Sequence, residues 1–283
     1  MSLSSTRDAA KPNTDLILSG LKDFQLATVE HVFRRLYTDP DCSRRYLVAD
    51  EVGLGKTLVA RGVIAKTIDF LWDRTERIDI VYVCSNTDIA RQNINRLNVS
   101  ECNEFALSSR ITLLPLTVAE FEGSRVNFVS FTPGTSFDLK RSGGTPRERA
   151  LIYWMLRDAW GLDSAAASRP FEGTAENKGF QWQLDFIKAA RDRGEIHQGM
   201  QERFVKEISK QPRLRKTYDE LLEQMPPRKK IPAELRRQCL PWIGELRRIL
   251  AETCLHWLEP ALIILDEFQR FKHLMDRNED TAS

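Results

Sequence analysis

The chain has 283 residues, 42% hydrophobic and 29% charged, with a formal net charge of +2. This is the composition of a soluble globular protein of one large or two modest domains, and it excludes disordered, collagenous and membrane-embedded classes. The longest apolar run is seven residues, 150–156, against the roughly 20 a membrane span needs, and the odd set of cysteines at 42, 84, 102, 239 and 254 holds no C-x-x-C pair, which argues against a disulfide framework or a zinc site and for reduced thiols in a cytoplasmic protein.

Residues 1–13 are polar and Ser-rich, lack the apolar core of a signal peptide, and read as a disordered N-terminus. Residues 24–37 carry Phe24, Val29, Val32, Phe33 and Leu36 at helical spacing, and Asp39-Pro40-Asp41 ends that helix. A short apolar run, Tyr46-Leu47-Val48-Ala49, reads as a strand. It leads into Asp50-Glu51-Val52-Gly53-Leu54-Gly55-Lys56-Thr57, and a helical pattern follows over residues 58–70.

Strand, Gly-rich turn and helix in that order make a phosphate cradle. Backbone N–H groups of the turn point at the phosphates, and the helix adds the positive end of its dipole. Gly53 and Gly55 let backbone and phosphate approach where a Cβ would stand between them. Leu54 lies between them, Lys56 would reach the outer phosphates of ATP, and the Thr57 hydroxyl would take a place on Mg²⁺. The general P-loop pattern has a glycine where this chain has Asp50. A G-x-G-K-[ST] string arises by chance in about one chain in a hundred of this length; the bland alternative is a hairpin turn beside a surface lysine.

Residues 78–84 read as a strand and 88–97 as a helix capped by Asn86 or Thr87. Residues 111–116 and 125–131 read as two further strands. This alternation predicts a mostly parallel α/β sheet. Residues 138–146 are polar and Gly-rich, a linker. From about 147 to 258 strand alternation gives way to helices over 147–160, 181–193, 198–210, 214–224 and 233–258, with Pro226, Pro227 and Pro232 as breaks and Pro241 as a kink. Between Lys188 and Arg248 stand sixteen Lys or Arg and nine Asp or Glu, a local balance of +7 against +2 for the whole. Arg213, Arg215 and Lys216, then Arg228, Lys229 and Lys230, are clustered there, and Trp182, Trp242 and Trp257 could stack on bases or pack in a core; a solvated scaffold face is the favoured reading over direct DNA contact.

An apolar strand returns at residues 261–265 and ends in Asp266-Glu267. Continuous apolar strands are those buried in parallel sheets, and such sheets bind ligands at the carboxyl ends of their strands. Adjacent strand residues face opposite ways, so the two acids can hold different roles: Asp266 toward Mg²⁺, Glu267 toward the attacking water.

The motifs DEVGLGKT (residues 50–57) and DEFQRFKH (residues 266–273) resemble the first and second motifs of superfamily-two helicases and translocases, and within them the SWI/SNF-like double-stranded DNA translocases. Phe268 and Gln269 depart from the usual form of the second motif. The resemblance covers about residues 21–137 and 259–273. It implies a RecA-like P-loop fold, with domain parts at 14–137 and 259–283 around a large helical insertion at 138–258. It implies ATP and Mg²⁺ as cofactors, Lys56 and Glu267 as catalytic residues, and Thr57 and Asp266 as metal-side residues. Phe24-Gln25 resembles the element that reads adenine, with the Gln25 amide on the N6/N7 edge. Ser85, Asn86, Thr132 and Gly134 stand where relatives touch the nucleic-acid backbone. Relatives carry a second RecA-like lobe with arginines that reach the γ-phosphate; here only ten residues follow His273, so the expectation is a first motor lobe that turns over ATP slowly alone. Two other functions stay open: a P-loop switch ATPase that drives a protein partner, and a truncated, non-catalytic interaction module. DNA is the expected partner; oligomeric state is open.

Overall fold

The computed structural model describes residues 11–49, 54–99, 104–107, 110–118, 125–132, 136, 143–164, 166–173, 177–226, 230–267 and 269. The chain divides into two compact units: unit 1 comprises Met1–Leu107, Phe121–Gly134 and Pro260–Ser283, and unit 2 comprises Ser108–Glu120 and Thr135–Glu259.

Unit 1 is an α/β unit. Its helices are α1 (Thr14–Ser19), α2 (Asp23–Phe33), α3 (Lys56–Leu71) and α4 (Thr87–Leu97), and its strands are β1 (Ile78–Val83), β2 (Glu104–Leu107), β3 (Val126–Phe131) and β4 (Leu262–Leu265). The sheet order is β2-β3-β1-β4 with every pairing parallel. β1 and β3 lie in the middle and are buried along their whole length, which is why both read as mainly apolar runs rather than as alternations, interrupted only by the buried Asp79, Asn127 and Ser130. Ile78, Ile80, Tyr82 and Cys84 enter one core cluster with Val29 and Val32 of α2 and Val59, Val63, Ile64 and Ile68 of α3. Asp79, buried in β1, is held by Arg77 at 2.6 Å and by the Asn127 amide at 2.9 Å, as a buried carboxylate must be.

Residues 1–10 lie outside the described set, but the Asn13 side chain caps α1 through the Leu16 N–H, and Lys11 pairs with Asp69 at 2.8 Å. The helix expected over 24–37 runs as α2 and then widens into a π-helical turn, Arg34–Thr38, with the Asp39 N–H reaching back five residues to the Arg34 carbonyl. Two strand expectations need correction, and one strand was not expected. Tyr46–Ala49 form no strand; Leu47 is 64% exposed, and no described strand lies alongside to take up its backbone groups. Residues 111–116 belong to unit 2, where Ile111–Leu113 make a 3₁₀ turn and Leu114–Thr117 a short helix, α5. Pro115 sits in that stretch and has no N–H to give a ladder, while it suits the first turn of a helix. β2 was not foreseen; at four residues, it is too short to show a period.

Unit 2 is helical, as the lost alternation implied. It holds α6 (Pro146–Trp160), α7 (Asn177–Asp192), α8 (Gln198–Ser209), α9 (Pro212–Glu223) and α10 (Ala233–Leu258), which runs through Pro241. Its centre is polar as well as apolar. Thr145 and Glu148 form a capping box at the start of α6, and the Glu148 carboxylate also accepts from Thr112 at 2.6 Å and from the Arg247 guanidinium at 2.8 Å. Glu148 and Arg247 are both fully buried. Burial would raise the Glu148 pKa, but the Thr112 hydroxyl, Arg247 and the Thr145 N–H overcome it and hold the carboxyl below its ordinary value. Arg149 is buried beside them and donates to the carbonyls of Gly143, Gly144 and Glu172; burial first, with Arg247 adding to it, lowers its pKa to about 10.

A candidate nucleotide site at the strand ends of unit 1

Of the Gly-rich loop, residues 50–53, and with them Gly53, lie outside the described set; Leu54 to Thr57 lie within it. Gly55 is the N-cap of α3 and takes the left-handed conformation, φ +83°. Only glycine holds that conformation without strain, and a Cβ there would come within 2.5 Å of Gln25 Nε2. α3 then begins with Lys56 and Thr57, and no acidic residue occupies its first turn. The positive end of its dipole is therefore not neutralised by its own carboxylates.

Gln25 is buried and its amide bonds at both ends. Nε2 donates to the Leu54 carbonyl at 3.0 Å, and Oε1 accepts from the Lys22 N–H at 3.0 Å. The residue read as an adenine contact thus ties the start of α2 to the Gly-rich loop. Its second amide proton and the remaining lone pair of Oε1 are what it could offer a base.

β4 brings the acids to the end of β1. Leu265 pairs with Val83, and the Asp266 N–H donates to the Val83 carbonyl at 2.8 Å. The Tyr82 hydroxyl donates to Asp266 Oδ2 at 2.5 Å, and Asn93 Nδ2 of α4 donates to the same oxygen at 3.1 Å and to the Tyr82 oxygen at 3.0 Å. Burial, and after it the Asp266 carboxylate, push the Tyr82 pKa well above that of an ordinary phenol, so the hydroxyl stays a donor at neutral pH. Glu267 follows with φ +51°, a left-handed position for a residue with a Cβ, at a cost of roughly 1–3 kcal/mol. Its Oε2 accepts from the Ser85 hydroxyl at 2.7 Å. The two acids are therefore held by different neighbours.

Ser85 and Asn86 stand just past β1. Asn86 Oδ1 accepts from the Asp88 N–H at 2.7 Å and its carbonyl accepts from the Cys84 thiol at 2.9 Å, so its side chain shapes the entry to α4. Thr132 follows β3, half-buried; Gly134 lies outside the described residues. Tyr82 and Asn93 were missed from the sequence. The available signal was a hydroxyl inside an otherwise apolar buried strand, since a buried Tyr O–H needs a partner.

Among the described residues, no group of three or more His, Cys, Asp or Glu is arranged to hold a metal ion. Mg²⁺ with a nucleotide does not ask for one: it keeps waters and takes one or two protein oxygens beside the phosphates. Thr57 and Asp266 each offer an oxygen of the kind Mg²⁺ takes, and neither hydrogen bond to Asp266 uses Oδ1. In unit 2, the clustered basic residues face acids: Arg213 pairs with Glu245, Arg215 with Asp219 and Lys216 with Glu220. Arg228 and Lys229 lie outside the described residues. Trp242 is buried and donates to the Leu214 carbonyl, whereas Trp182 is 62% exposed. No described helix is long and apolar enough to cross a membrane. Comparison with protein-family models, with curated proteins and with solved structures finds no significant match to this chain.

Proposed function

We propose that unit 1 is the ATP-binding, RecA-like lobe of a cytoplasmic ATP-dependent nucleic-acid motor, with double-stranded DNA the favoured track. The observation that carries this reading is the opening of α3: a left-handed Gly55, then Lys56 and Thr57 in a first turn free of acids, in a unit whose parallel strand β4 ends in Asp266 and Glu267. In this reading the Lys56 ammonium offsets charge on the outer phosphates, and Thr57 and Asp266 face the magnesium side of the nucleotide. Bound Mg²⁺ would supply charge neutralisation of the phosphates. Glu267 orients the attacking water and takes its proton. Ser85, Asn86, Thr132 and Gly134 contact the nucleic-acid backbone, and an arginine from a second RecA-like lobe completes turnover.

Calorimetric titration of Mg-ATP into wild type and Lys56→Ala tests the reading. Binding by wild type that falls at least tenfold in the variant is the expected outcome. Equal heats from the two proteins would remove the nucleotide site and leave a non-catalytic interaction module.

One observation favours a second reading. The Ser85 hydroxyl, proposed as a backbone contact, already donates to Glu267, and Arg213, Arg215 and Lys216 of unit 2 are paired with acids. Both suit a P-loop switch ATPase that acts on a protein. ATPase rates with and without duplex DNA, in a protein supplied with a second lobe, separate the two.

A further inference from the structure

The geometry points to Tyr82 and Asn93 as positioning residues that set the affinity of the site for a divalent cation, by holding Asp266 Oδ2 so that Oδ1 is the oxygen presented to the metal. The inference rests on the reading of Asp266 as the metal-side acid.

The strand register explains how Tyr82 comes to do this. Tyr82 pairs with Ile264 across the β1–β4 ladder. Side chains two apart on a strand share a face, so Asp266 stands on the Tyr82 side, two residues or about 6.6 Å further along. A phenol spans that rise and a Ser or Thr hydroxyl does not. Phe would pack in the same core equally well, so the hydroxyl is the part of Tyr82 that packing does not require. Asn93 comes from α4, on a different element, and reaches the same two oxygens. Tyr82 O–H and Asn93 N–H both end on one carboxylate oxygen, which fixes the rotation of the carboxylate about its own axis. A carboxylate free to rotate would offer either oxygen and lose entropy on binding metal; one held by its outer oxygen is already set. Partners of this kind typically carry 10- to 100-fold in metal affinity.

The arrangement separates metal binding from nucleotide binding. Tyr82 and Asn93 make no described contact with Leu54 to Thr57, so their loss should weaken the cation and leave metal-free nucleotide affinity where it was.

The test uses Mn²⁺ as the spectroscopic stand-in for Mg²⁺. Free Mn²⁺ is counted by electron paramagnetic resonance as it is titrated into the full chain with saturating ATP, and ATP binding in EDTA is measured separately. The proteins are wild type, Tyr82→Phe, Asn93→Ala and Asp266→Asn, each with a thermal melt. Tyr82→Phe and Asn93→Ala should each weaken Mn²⁺ about tenfold, with ATP affinity in EDTA unchanged, and Asp266→Asn should weaken it further. Wild-type Mn²⁺ affinity in both Tyr82→Phe and Asn93→Ala, with Asp266→Asn impaired, overturns the inference and leaves the metal-side reading intact. Mn²⁺ affinity unaffected by Asp266→Asn overturns both. A variant that loses ATP binding in EDTA and Mn²⁺ binding together also counts against the inference, because that is the signature of a structural role; Asn93→Ala, on a half-buried helix position, keeps the question answerable if Tyr82→Phe melts.

Discussion

At Gly55, one residue carries two constraints that usually come apart. Its φ of +83° excludes a side chain on conformational grounds, and the Gln25 amide excludes one on steric grounds. Gly55→Ala must strain the backbone and push Gln25 off the Leu54 carbonyl at 3.0 Å. A left-handed non-glycine costs roughly 1–2 kcal/mol, and a displaced buried hydrogen bond about 1 kcal/mol more. Urea unfolding of Gly55→Ala should therefore show a loss of about 2–3 kcal/mol, and ATP binding should weaken with it; a midpoint unchanged from wild type would mean that the loop has room to refold around the methyl group. The same contact qualifies what Gln25 could do. A glutamine upstream of a Gly-rich loop is legible in sequence as a base reader, but its burial and its two backbone partners are products of tertiary packing, and no local pattern encodes them. Glu267 makes the same point from the other direction. Its position after an apolar strand is plain in the sequence, while its left-handed backbone and its bond to Ser85 depend on a loop 182 positions away.

Among the elements, β1, β3 and β4 were legible because each is a short, mainly apolar run between polar segments; what the rule did not give is that β1 and β3 bury Asp79, Asn127 and Ser130, and that β4 ends the sheet order with Ile263 54% exposed. The same rule misread residues 46–49 and 111–116, because it says nothing about whether a partner strand is available or whether a proline will choose a helical turn. Unit 2 was legible as helices for the converse reason, and its hidden feature is ionic. Glu148 begins as a local N-cap device and ends as the acceptor for a buried arginine 99 positions away. Removing one member of such a pair leaves a buried, uncompensated charge, a loss of about 3–5 kcal/mol. Glu148→Gln should thus cost unit 2 about that much at pH 7. The pH dependence follows from the direction of the shift. Glu148 has a folded pKa below its unfolded value, near 4.3 for a free Glu, so its contribution is present above that value and is lost as pH falls through the lowered folded pKa. The gap in urea midpoint between wild type and Glu148→Gln should be full at pH 7 and should shrink as pH is lowered step by step below the ordinary Glu range. A gap that stays constant with pH would assign the stability to packing around the side chain instead of to its charge.

For the molecule as a whole, the division into two compact units has a consequence for ligand linkage. Anything that binds the folded state and not the unfolded one stabilises the unit that holds its site, by about 2.7 kcal/mol at 100 times the dissociation constant. If the nucleotide site lies in unit 1, Mg-ATP should raise the melting temperature of that unit by on the order of 10 °C and leave unit 2 where it was. The tryptophans make this measurable without labels. Trp72 is in unit 1, and Trp154, Trp160, Trp182, Trp242 and Trp257 are in unit 2, so intrinsic fluorescence is weighted toward unit 2, while far-ultraviolet circular dichroism sees the helices of both. Melts followed by the two probes should coincide or nearly so without ligand and separate when Mg-ATP is added, with the later-melting component visible in dichroism and weak in fluorescence. A Trp72→Phe variant should leave the fluorescence transition in place and remove what ligand response it has. Should both probes shift together by the same amount, the two units unfold as one cooperative system.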